Sequence, residues 1–325
     1  MSNKKLGVKR PMGKTGVEKH VTVLLSDIRG FTNIVESYPA DVVFKMLNRY
    51  FDCMGKVISR YDGFIDKLMG DSILVVFGLP EEQPTDAERA IACATEMQLA
   101  MTEFNAENQR QGLPDLYMGI AVNSGLAIAG QLGSEHYSEY TIIGDVMNLV
   151  SRIEAHCLRG QVLISESTFH LTQHHITVGA RKSIEVKGGH ESLNILDLHA
   201  TARPKDLQVP RRERRKSPRV LVKKRIAVQS LQGKIVLPEK FEADLVDFSY
   251  EGLCFDTEEQ LSESCEVKVS IQLEPTTDAV TEAYARVVNT KEHERKHRYG
   301  LEITSLNGEA EKAIKLYVDE LARTG

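Results

Sequence analysis

The sequence has no apolar run approaching the roughly 18 residues that cross a bilayer, no Cys-x-x-Cys pair and no net positive charge. Each lack excludes a class. A helical membrane span is ruled out, and the basic stretch MSNKKLGVKRPMGKTG has no apolar segment behind it to form a secretion signal. Cys53, Cys93, Cys157, Cys254 and Cys265 are odd in number and scattered, which argues against a disulfide frame or zinc site and for reduced packing thiols. A net charge of -5 makes no whole-chain case for nucleic acid or a membrane surface. The expectation is a cytoplasmic protein with neither as partner. What is present is ordinary: 325 residues, 42% hydrophobic and 27% charged, enough for two globular domains.

Apolar periodicity organises the first 200 residues. HVTVLLSDI (20–28) reads as a buried strand, and Val42, Val43, Met46, Leu47, Tyr50, Phe51 and Met54 recur at helical spacing through about residue 60. GFIDKLMGDSILVVFGLP (63–80) predicts a hairpin around a Gly-Asp turn. A second helix over 85–108 opens on a Thr-Asp cap signal. LYMGIAVNSGLAIAGQLG predicts a strand and a glycine-punctuated turn, EYTIIG a short strand and DVMNLVSRIEAHC a helix. The order is that of an α+β, ferredoxin-like or palm-like βαββαβ sheet with helices on one face. Past residue 200 the texture changes. TARPKDLQVPRRERRKSPR, about 201–219, is a linker with a basic arm. Six short alternating segments from KRIAVQSL to YGLEITSL then suggest a small barrel, and GEAEKAIKLYVDELARTG an amphipathic helix. The expected domains are 1–200 and 201–325.

The stretch LLSDIRGFT (24–32) runs an apolar strand into a bare carboxylate, Asp27. Burying an ionised Asp without a partner is costly, so the residue implies a compensating cation. Asp71, at the hairpin turn, can sit beside Asp27 when the hairpin pairs with the first strand. Two adjacent carboxylates cannot both stay ionised unaided, and divalent metal resolves the conflict. Spacing alone leaves a pair of solvent-facing turn aspartates equally open. Gly30, Phe31 and Thr32 follow at a helix start, where free N–H groups accept phosphate.

LLSDIRGFT, IDKLMGDSILVVFG and YTIIGDVMNLVSRIE, in this order and spacing, resemble the motifs of the class III nucleotidyl cyclases over roughly residues 18–200. The resemblance implies that Asp27, Asp71 and the Ile28 carbonyl hold two Mg²⁺ or Mn²⁺ ions. Lys67 and Thr141 would read the base, and Asn148 and Arg152 would serve the transition state. Guanylate members carry an acidic residue where Lys67 stands, so the chain looks like an adenylate cyclase acting on ATP. Thr141 marks a subgroup of which some members respond to bicarbonate. The family often reads VKGK where this chain reads VKGG (186–189), which leaves Lys187 as the triphosphate candidate. Shared sites in a homodimer are also implied, as is the alternative of a silent cyclase-like module acting as a cyclic di-GMP effector scaffold.

In the second half, RRERRKSPR (211–219) and DFSYEG (247–252) resemble the RxxxR and [D/N]xSxxG signatures of PilZ domains, six-stranded antiparallel barrels that bind cyclic di-GMP. Arg215, Arg219, Asp247, Ser249 and Gly252 are the residues implied. Arginine suits such a ligand because its plane stacks on guanine and its fork pairs phosphate. Three other signals carry nothing. GKTG (13–16) lacks the glycine a phosphate loop needs, His170, His174 and His175 read as surface histidines, and KGGHES is no diguanylate cyclase signature.

Overall fold

The protein is described from a computed structural model covering residues 16–134, 138–185, 192–210, 218–233, 235–262, 265–274, 279–293 and 296–324. The chain divides into two compact units, Met1–Arg29 with Phe44–Arg212, and Gly30–Val43 with Glu213–Gly325.

The first unit is built on β1 (Val17–Ile28), whose Val21–Ser26 run is buried without interruption. A strand apolar on both faces needs cover on both. Its partners are β3 (Ser72–Phe77) and β4 (Met118–Gly133), both antiparallel. With β2 (Phe64–Met69), β6 (Val162–Ser165), β7 (Ile176–Glu185) and β8 (Ser192–Thr201), the sheet order is β2-β3-β1-β4-β6-β8-β7. The outliers β5 (Ser138–Ile143) and β9 (Leu207–Gln208) pair with β4 and β8.

The expected helices on one face are half of the arrangement. From α2 (Ala40–Arg60), the buried Tyr50 hydroxyl reaches Met118 Sδ at 3.5 Å, and from α3 (Asp86–Arg110), Gln98 Nε2 donates to the Met118 carbonyl at 3.0 Å. On the other face, Val21, Val23 and Leu25 share a core with Val146, Val150 and Ile153 of α4 (Asp145–Glu154). Two short helices, α1 (Phe31–Ser37) and α5 (Glu166–Thr172), complete the helices met before the barrel.

Two local expectations are corrected. Thr85 precedes α3 but its side chain caps nothing; Asp86 Oδ2 instead accepts the Gln83 N–H at 2.7 Å. The LYMGIAVNSGLAIAGQLG stretch contains no turn, since β4 passes straight through Gly125 and Gly130, whose strand partners are Val21 and Thr141.

The second unit is a closed antiparallel barrel. β10 (Val220–Gln232), β12 (Phe241–Phe248), β13 (Gly252–Thr257), β16 (Lys296–Leu306), β15 (Val280–His293) and β14 (Glu266–Gln272) pair in that order, and β14 returns to β10. The two-residue β11 (Ile235–Val236) adds to β10 outside the ring. Alternate residues such as Ile226, Val228, Val267, Val269, Ala283 and Ala285 fill the interior. The closing α6 (Gly308–Thr324) contributes Ala310, Ile314, Tyr317 and Val318 to the same core.

Candidate active site

The pairing of β1 with β3 brings the two predicted aspartates together. Gly70 takes a left-handed φ of 63° at the first turn position, as a two-residue hairpin requires, and Asp71 follows it. Asp71 Oδ2 accepts the Ile28 N–H at 3.2 Å, while Asp27 Oδ1 accepts the Ser72 hydroxyl at 2.5 Å. Burial, then the charge of Asp27, pushes the Asp71 carboxyl up to about 6. Both aspartates are half-buried. Arg29 stands alongside, its Nη1 3.8 Å from Asp27 Oδ2 and its Nη2 donating to the Glu154 carbonyl at 2.9 Å, with the Glu154 carboxylate also in contact. Gly119, directly across from Asp27, makes room for this guanidinium; a Cβ there would lie 2.5 Å from Arg29 Nη2.

Among the described residues no three His, Cys, Asp or Glu cluster as a metal cage. Two carboxylates and a backbone carbonyl are the sparse hard-oxygen set that suits Mg²⁺ or Mn²⁺ when substrate phosphates complete the shell, so the residues present fit such ions.

A β-bulge between Ile65 and Lys67 interrupts the β2–β3 ladder. It breaks the strict alternation and lets Asp66 and Lys67 serve the same side. Lys67 Nζ lies 3.5 Å from the hydroxyl of Thr141 on β5 and 3.3 Å from Asp66 Oδ2. The two predicted base-reading residues therefore meet within one chain. Asn148 and Arg152 sit one turn apart on the exposed face of α4, opposite its buried Val146 and Val150. Gly30, Phe31 and Thr32 open α1 and are grouped with the second unit. Lys187 lies outside the described residues.

In the barrel, Arg219 Nε pairs with Asp247 Oδ1 at 3.2 Å at the start of β10 and end of β12. The Ser249 hydroxyl and N–H both donate to the Gly252 carbonyl at 2.9 Å, closing the turn into β13. At Gly252 a Cβ would stand 2.7 Å from the Leu301 carbonyl, so only glycine permits β16 to approach. Arg215 lies outside the described residues.

Residues 14–198 match the family described as Adenylate and Guanylate cyclase catalytic domain, over half of the chain. The chain belongs to this family of class III cyclases. Residues 213–320 match the PilZ domain, giving the two domains in that order. An Adenylate cyclase of Anabaena cylindrica is 35% identical over 61% of this chain and 41% of its own length. Adenylate cyclase 1 of Rhizobium meliloti is 32% identical over 44% of this chain and 21% of its own. The chain thus spans less than half of these curated relatives. The crystal structure of the guanylyl cyclase Cya2 superposes with TM-score 0.59 at 39% identity, covering 60% of this chain and 99% of that one. The adenylyl cyclase CyaB from P. aeruginosa gives 0.56 at 34%, covering 58% and 97%.

Sequence reasoning missed several residues that the structure places beside the two predicted aspartates. Arg29 stands inside the LLSDIRGFT motif and Ser72 directly follows Asp71, so adjacency was a signal for both. Glu154 and Gly119 meet Arg29 only through the sheet, and no local pattern announces them.

Proposed function

We propose that the chain is an adenylate cyclase that converts ATP to cyclic AMP and pyrophosphate at sites shared by two copies, and that cyclic di-GMP bound to its PilZ domain regulates it in the cytoplasm. The cyclase domain is assigned to residues 1–200 and the PilZ domain with its basic arm to 201–325. The Asp27–Asp71 pair carries the reading, since burial and mutual repulsion hold Asp71 in need of a cation. Asp27, Asp71 and the Ile28 carbonyl would hold two Mg²⁺ or Mn²⁺ ions, which when bound lower the pKa of the ribose 3′-hydroxyl and neutralise the phosphates.

The protein's own groups do the positioning. The ribose oxygen forms a bond to the α-phosphorus as the bond to pyrophosphate breaks. Arg152 presents a planar fork of donors to the crowded α-phosphate, a role whose loss typically costs ~10²-fold or more. Asn148, on the same helix face, orients the ribose. Gly30, Phe31, Thr32 and Lys187 receive the phosphates. Lys67 donates to adenine N1 and Thr141 accepts from N6, which favours ATP over GTP. Their 3.5 Å contact supports that choice, as do the relatives named adenylate cyclase.

Two observations support a shared site. Asn148 and Arg152 face outward, and β4 and β5 expose an apolar strip of Leu126 (58%), Ile128, Leu132 and Ile143 (56%). A two-fold dimer would cover such a strip and bring one copy's Arg152 to the other's aspartates. In the barrel, Arg215, Arg219, Asp247, Ser249 and Gly252 form the proposed ligand site. Cyclic di-GMP acts on rate only by binding active and inactive arrangements differently. The test is cyclic nucleotide formation by the purified chain from ATP and from GTP, with Mg²⁺ or Mn²⁺, with and without cyclic di-GMP. Cyclic AMP in excess, at a rate that changes with cyclic di-GMP, is expected. Silence with both substrates would leave the effector-scaffold alternative.

A further inference from the structure

The hydroxyl of Thr141 has a fixed direction. Its Oγ1 lies 3.5 Å from Lys67 Nζ and 3.3 Å from Asp66 Oδ2, and Thr141 is only 4% exposed. An ammonium can only donate and a carboxylate can only accept, so the single hydroxyl hydrogen belongs to Asp66. Lone-pair density is then all that Thr141 can offer to a base. The Asp66 side chain is 1% exposed, held at the bulge of β2 that turns it to the same side as Lys67. Its second oxygen, Oδ1, is buried with no hydrogen-bond partner among the described residues, so the carboxylate keeps acceptor capacity to spare.

We infer that Asp66 is a specificity-determining positioning residue, which commits Thr141 as an acceptor and so makes the base site read an amine and reject a carbonyl at the purine 6-position. This rests on the cyclase reading above and deepens it. A threonine hydroxyl alone is ambivalent, able to accept from adenine N6 or donate to guanine O6. With its hydrogen held by Asp66, guanine's O6 meets lone pairs and guanine's N1–H meets the Lys67 ammonium. Adenine satisfies both groups.

The test is the ratio of kcat/KM for ATP to that for GTP in the full chain. Asp66→Ala removes the acceptor, frees the hydroxyl to rotate, and should lower the ratio by about tenfold or more, the worth of one well-placed hydrogen bond. Asp66→Asn keeps a carbonyl of the same size in place and should retain most of the ratio. In a Thr141→Val background Asp66→Ala should change the ratio no further. A folded Asp66→Ala chain that slows both substrates equally would overturn the inference and leave Asp66 a structural role. If Asp66→Ala does not fold, judged by its melting curve, Asp66→Leu fills the space without an acceptor and carries the same expectation. A wild-type chain that makes no cyclic nucleotide, or favours GTP, defeats the function reading itself. A wild-type chain that favours ATP with an unmoved ratio in both variants defeats only the assignment of Asp66.

Discussion

Neutralising Asp71 should stabilise the metal-free protein, and the gain should depend on pH. In the folded chain the carboxyl titrates near 6 against an ordinary value of 3.8, because burial and Asp27 disfavour its charge. The folded state therefore binds the proton more tightly than the unfolded chain. Below about pH 4 both states hold the proton, and the stability associated with it is fully present. Between roughly pH 4 and 6 it is lost as the folded carboxylate is forced to ionise, and above 6 the loss is complete. Two pKa units amount to about 3 kcal/mol at full weight, but the carboxyl is partly open to water, and screening reduces this to about 1 kcal/mol. Asp71→Asn cannot ionise and escapes the loss. In chelator, the variant's cyclase-domain transition should lie about 2–4 °C above wild type at pH 8 and converge with it near pH 4. Mn²⁺ should reverse the order at pH 8, since only wild type retains the full ligand pair. Calorimetric melts from pH 4 to 8 supply the measurement. A gap that stays constant across that range would refute the raised titration of Asp71.

Three further outcomes are expected. Asp27→Ala and Arg152→Ala chains, each inactive alone, should regain activity when mixed, as a cyclase assay on the mixture reads; no recovery would count against shared sites. Arg219→Ala should weaken cyclic di-GMP binding by about tenfold or more in a calorimetric titration, since it removes a charged, stacking-capable donor. Gly252→Ala should destabilise the barrel by about 1–3 kcal/mol in denaturant unfolding, because the new Cβ meets the Leu301 backbone 2.7 Å away.

The parts of the fold visible in the sequence are those with a local cause. The β1 run, the α2 and α3 periodicities and the Gly70–Asp71 turn each follow from residues close in the chain, and each is found where expected. β4 is different. Gly125 and Gly130 read as punctuation, yet pairing with Val21 and Thr141 supplies the ladder that keeps the strand extended. The second covered face of the sheet was also hidden, because a continuous apolar strand does not say which helix covers it. At the candidate site, Asp27 and Asp71 were legible as a conflict of charge. Asp66 was not, since its meaning depends on a bulge and on a threonine 75 positions away.

Closure of the barrel restricts how a ligand can be felt. With β10 bonded to both β12 and β14, no wall strand is free to slip, and any shift in shear would have to move by two residues at once to keep side chains facing inward. Small displacements along the staves are thereby forbidden. A signal from the proposed site at Arg219 and Asp247 is left with the rim: its turns and chain entrances.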